Sequence, residues 1–114
     1  MDRDSSIYVR DMPETMKKAE EFVSGMDYEE FISDEKTSYA VVRCVEVMGE
    51  AAKHVPDPIR RKYPQMPRRD IAGMRDKIIH FYFGVNLERV WLVVKEDIPD
   101  LKPDLERILG DLQR

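Results

Sequence analysis

The sequence predicts an all-α fold, an antiparallel bundle of four to five helices, and three observations predict it. Apolar residues recur at helical spacing along the whole chain. No run alternates apolar and polar residues between turn residues, as a half-buried strand would. The five glycines are few, and the prolines sit at junctions between helical runs, apart from Pro13. With 114 residues the chain fits one domain, 1–114, around a single core.

The first helix is expected from a cap at Ser5 or Ser6 to Ser24, with Gly25 ending it. Its inner face is read as Ile7, Met12, Met16, Ala19, Phe22 and Val23, and Pro13 should kink it or mark its true start. Asp27 is positioned to cap a short turn through "YEEF". Ser33 or Asp34 caps a long helix whose Val41, Cys44, Val45, Met48, Ala51 and Ala52 share one arc, with Arg43, Glu46 and Glu50 opposite. Pro56 stops it, and Asp57-Pro58 reads as the cap and first position of a single turn. The fourth helix begins near Pro67 and is broken at Gly84. Asn86 caps the next one, and Pro99 divides it from an amphipathic C-terminal helix.

Composition narrows the functional classes. No stretch of eighteen apolar residues exists, so a membrane span is not expected. The opening "MDRDSSIYVRD" lacks the basic and then apolar run of a signal peptide, and the single cysteine, Cys44, cannot close an internal disulfide. A cytoplasmic location is the expectation. The net charge of −4 argues against nucleic-acid binding by the whole surface, yet residues 60–77 hold seven Lys/Arg against two Asp. That local +5 leaves −9 for the rest of the chain. A basic strip on an acidic body can hold a phosphate backbone in one place, with Arg68, Arg69 and Lys77 as candidate contacts, or it can be a solvated face.

The stretch "RDKIIHFYFG", residues 75–84, is the chemically dense one. Projected as a helix at about 100° per residue, Tyr82 falls roughly 20° from Arg75, while Asp76 and His80 lie about 100° and 140° away. Ile79 and Phe83 fall between the two pairs, on a second apolar face that one core cannot bury. Such a face calls for a covering chain, and a second copy about a two-fold axis is the simplest supply.

Asp76 four residues before His80 could hold the imidazole and favour its charged form. A histidine titrating near neutrality can move protons, and an arginine in reach offers a planar donor fork to a phosphate. The set suits attack of a ribose 2′-hydroxyl on the adjacent phosphodiester, with Arg75 stabilising the transition state. No metal ligand set or cofactor motif is evident. From the residues alone a structural reading stays open, because ion-pair clusters of this kind also serve only stability.

Arg75, His80 and Tyr82 in "RDKIIHFY" resemble the Arg-x4-His-x-Tyr signature of HepT-like toxins in the HEPN superfamily. "VVRCVEVMGEAAKHVPD", with Gly49-Glu50-Ala51, resembles that family's second helix, and "NLERVW" followed by "DIPDL" follows its course onward from the motif helix. The resemblance implies a homodimeric helical-bundle ribonuclease with a composite cleft at the two-fold axis. It further implies a partner of the MNT nucleotidyltransferase type, acting as antitoxin by transferring AMP to Tyr82. Catalysis would rest on Arg75 and His80, with Asp76 in support and RNA as substrate. Two departures stand out: Asp76 occupies a position more often asparagine, and "PRRD" replaces a tryptophan-bearing stretch before the motif helix. A non-catalytic helical dimer that binds a nucleotidyltransferase or nucleotide is the alternative. A helix-turn-helix DNA reader fits poorly, since no recognition helix follows the basic cluster.

Overall fold

Val9, Met12, Met16, Ala19 and Val23 repeat at intervals of three and four, and all five are buried. They belong to helix α1, Ile7–Phe22, and the residue after it, in a computed structural model that describes residues 6–80 and 84–114. That register turns Ile7 and Phe22 away from the core: they are 37% and 45% exposed, against the expectation from sequence, and Val9 takes the inward place. Pro13 neither starts nor ends α1 but sits buried inside it. The helix ends at Phe22 with Val23 as its C-cap, earlier than the Ser24 expected, and Gly25 turns the chain two residues on with φ +79, a conformation costly for any residue with a Cβ.

Short α2, Tyr28–Ser33, is held by a capping box in which Asp27 accepts from the Glu30 amide and Glu30 accepts from the Asp27 amide. Asp34 caps α3, Glu35–Lys53, accepting from the Thr37 amide at 3.0 Å and the Thr37 hydroxyl at 2.8 Å. The expected arc of α3 is buried from Val41 to Ala52. Helix α4, Asp57–Lys62, starts one residue earlier than expected, with Pro56 as its N-cap. Arg60 reaches back from it to donate to the carbonyls of Lys53 and Val55, satisfying the end of α3.

Helix α5, Arg68–Ile78, places Ile71, Met74 and Ile78 in the core. Its end corrects the sequence reading, which carried the helix to Gly84. Ile79 is already extended, and Ile79–His80 (β1) pairs antiparallel with Gly84–Val85 (β2), Ile79 opposite Val85 and His80 opposite Gly84. The Asn86 amide closes the junction on the Ile78 carbonyl at 2.7 Å. Two adjacent isoleucines leading into "HFYF" favour extended backbone over helix, which accounts for the early stop. Gly84, with φ +78, serves the strand pair instead.

Asn86 caps α6, Leu87–Leu92, through the Arg89 amide. The expected division at Pro99 does not occur. The backbone runs from α6 through a π-helical segment, Val93–Asp97, into α7, Ile98–Leu112. The Ile98 amide donates to the Val93 carbonyl five residues back, and Pro99 follows directly as the second residue of α7. Arg89 and Asp97, 2.9 Å apart, brace this widened turn.

The bundle is built on α3, which packs against both α1 and α5, while α7 closes on α1. Lys102 of α7 pairs with Glu20 of α1, and the Tyr63 hydroxyl donates to Asp111, tying the end of α4 to the end of α7. Trp91 of α6 meets Phe31 at 5.3 Å and Tyr28 edge-on at 6.0 Å, with Lys95 over its ring, and so clamps α2 to α6. No helix among the described residues is long and apolar enough to cross a membrane.

Candidate active site

Arg75 lies on the outer side of α5, exposed, beside the point where α5 comes closest to α3. At Gly49 a Cβ would come into ordinary contact with the carbonyl oxygens of Ile71 and Ala72, 3.5 and 3.6 Å away. The Arg75 side chain makes no hydrogen bond or ion pair with any described residue, and it lines a groove of about 680 Å³. Tyr8 and Asp11 of α1 form one wall, and Arg43, Glu46 and Glu50 of α3 form the other.

His54, to which sequence reasoning assigned no role, closes the groove. Its Nδ1 lies 3.1 Å from the Glu50 carbonyl and 3.7 Å from the Glu50 carboxylate, and its ring sits 5.7 Å from that of Tyr8. A carbonyl oxygen only accepts, so Nδ1 donates to it, which leaves Nε2 as the unprotonated nitrogen of the neutral ring. The signal was present in the sequence as Glu50 and His54 one helical turn apart. Arg43 and Arg75 face three carboxylates here, so within one protomer the groove is mixed rather than basic.

The motif residues are distributed differently from the helical projection. Asp76 remains on α5 and is exposed. His80 stands in β1, beyond the helix end, so the one-turn relationship that was to join it to Asp76 does not hold in the backbone. Ile79, expected on an outward apolar face, is partly buried against the core. Val85, its partner across the strand pair, is the exposed apolar residue at that place. Tyr82 and Phe83 lie outside the described residues.

The three basic candidates also separate. Arg68 and Arg69 border a groove at the junction of α4 and α5. Lys77, half a turn around and further along α5, shares a hollow with Asp70, Asp97 and Asp100. Among the described residues, no three His, Cys, Asp or Glu side chains gather as metal ligands.

The helical bundle fits the class of HEPN-like helical domains. The chain belongs to the ribonuclease HepT-like family, whose model matches residues 12–108. It is 44% identical over 108 residues to a Thermococcus cleftensis protein named "Probable ribonuclease HepT", covering 95% of this chain and 98% of that one. Two Methanocaldococcus jannaschii proteins named "Putative RNase" are each 47% identical over 111 residues. Those alignments take in 97% of this chain and 92% and 96% of the respective relatives. No solved structure matches.

Proposed function

We propose that this protein is a metal-independent endoribonuclease toxin of a type VII, MNT-HEPN, pair. The observation that carries the reading is Arg75: a permanently charged, exposed donor fork without a partner among the described residues, in a chain of the ribonuclease HepT-like family. The 2′-hydroxyl of one ribose attacks the neighbouring phosphorus and the bond to the 5′-oxygen breaks, giving a 2′,3′-cyclic phosphate and a 5′-hydroxyl. Arg75 neutralises the extra charge on the non-bridging oxygens, and His80 transfers protons to and from the reacting oxygens. Two protomers supply a joint cleft, a reading supported by the exposed Val85 beside the motif. Asp76 tunes the charge at its edge. An MNT-type nucleotidyltransferase silences the enzyme by transferring AMP from ATP to the Tyr82 hydroxyl with release of pyrophosphate, and the added phosphate repels RNA.

The test is cleavage of RNA in excess EDTA by wild type, Arg75→Ala and His80→Ala, with end-group analysis. Cyclic phosphate ends that vanish in both folded variants support the reading; cutting at the wild-type rate by either variant overturns the role given to that residue. Intact mass after co-expression with the nucleotidyltransferase tests the adduct on Tyr82.

A second reading, a non-catalytic dimer that binds a nucleotidyltransferase or nucleotide, draws on Asp11, Glu46 and Glu50 beside Arg75. These carboxylates oppose a polyanion. Complex formation without RNA cleavage or growth arrest would select it.

A further inference from the structure

Between the end of α4 and the start of α5 lies a second groove, of about 370 Å³, bordered by Arg60, Arg68 and Arg69, with Asp70 as the only carboxylate in its lining. Arg60 is fixed in it. Its Nε donates to the Val55 carbonyl at 2.7 Å and its Nη2 to the Lys53 carbonyl at 2.9 Å, neutral acceptors that leave its charge in place. Asp57 approaches its Nη1 only to 3.5 Å. The side chains of Arg68 and Arg69 make no hydrogen bond or ion pair with a described residue, so both forks are open to a ligand.

Arg68 and Arg75 are seven residues apart within α5, which sets them on one stripe of the helix, separated by roughly 10 Å. Lys77 is on the other side, among carboxylates. Outside residues 60–77 the chain carries −9, so an anion leaving Arg75 finds its favourable continuation toward Arg68 and α4.

We infer that Arg60, Arg68 and Arg69 form a backbone-phosphate subsite for single-stranded RNA, reached along α5 from the Arg75 groove. The inference rests on the ribonuclease reading for its substrate. Arg68 shares the stripe of Arg75, and Arg60 and Arg69 flank it with further planar guanidinium forks, the donor geometry that suits successive phosphates of one strand. An acidic protein segment would have no need of that alignment. The subsite holds RNA away from the scissile bond, so its contribution grows with strand length and falls with salt.

Two RNAs, about 4 and about 16 nucleotides long, give the test. Arg68→Gln/Arg69→Gln raises KM for the long RNA about fivefold or more and for the short one less than about twofold, with kcat retained. The salt dependence of binding also becomes shallower, by roughly 0.7 in logarithmic slope for each phosphate that is no longer neutralised. Lys17→Gln/Arg107→Gln, an equal loss of two charges on α1 and α7, is the control. Anisotropy with 2′-O-methyl RNA of the longer length reads binding where no cleavage can occur. Should wild type bind that probe but cut nothing, the catalytic reading fails and the subsite is still measured. Unchanged affinity for the probe in the double variant, with a native melting curve, overturns the subsite. So does an equal loss on both lengths, or a defect confined to binding of a protein partner.

Discussion

A side-chain carbon placed on Gly49 would stand 3.8 Å from the Cβ of Arg75 and 3.5 Å from the Ile71 carbonyl oxygen. Helix α3 therefore approaches α5 with space for a methyl group in ordinary van der Waals contact. Gly49→Ala should stabilise the fold by up to ~1 kcal/mol, since alanine is the better helix former. Gly49→Leu must push α5 outward, at a cost of about 1–3 kcal/mol, and carries Arg75 with it. Urea unfolding of both variants checks this, and equal stability of the two would remove the close approach.

Arg75 and His80 are expected to matter at the level of chemistry rather than folding. Arg75→Ala should lower kcat about a hundredfold or more, and His80→Ala by a similar factor, with melting temperatures near that of wild type. Single-turnover cleavage in EDTA separates the two effects.

Asp76 puts a negative charge one residue from Arg75 on an exposed helix face. Asp76→Asn removes a repulsion that at surface dielectric is on the order of 1 kcal/mol, so RNA should bind a few-fold more tightly. Because the charge is exposed, the gain should shrink as salt rises. KM measured at low and high salt tests this; a weaker-binding asparagine variant would instead make Asp76 a supporting residue.

Two carboxylates and a phenol set the pH range of stability. The Thr37 amide and hydroxyl hold Asp34 below the usual aspartate range, and the Tyr63 hydroxyl does the same for Asp111. Each contributes stability that is present above the unfolded aspartate value, near pH 4, and lost as pH falls through the lower folded value. Tyr63 is shifted the other way, upward, first by its bond to Asp111 and then by burial. Its contribution is present below about pH 10 and lost as pH rises through the raised folded value. Melting temperature should form a plateau between these limits. Tyr63→Phe should flatten the alkaline limb, and Asp34→Ala part of the acid limb.

Cys44 is 6% exposed, and burial pushes its thiol up. Alkylation in the native state should be about a hundredfold or more slower than in urea. A fast native reaction would mean that the α3 core opens readily.

Local rules made much of the fold legible. Asp27, Asp34 and Asn86 cap the helices they precede, and the arc from Val41 to Ala52 is buried, because capping and amphipathic spacing act over a few residues. Arg75 stood out as a candidate through the density of polar groups in residues 75–84, and the family signature added to that reading. The helical projection beyond Ile78 went astray because an angle of 100° per residue applies only while the helix lasts, and Ile78-Ile79 ends it.

By itself, then, the sequence determined an all-helical domain, its caps, its core stripe on α3 and its family. The tertiary structure alone decided that His54 and Arg43 share a groove with Arg75, that Lys77 parts from Arg68 and Arg69, and that α6 passes through a π turn into α7. Those outcomes depend on which helices meet and on how closely Gly49 lets two of them approach, relations between segments distant in the chain that no local pattern encodes.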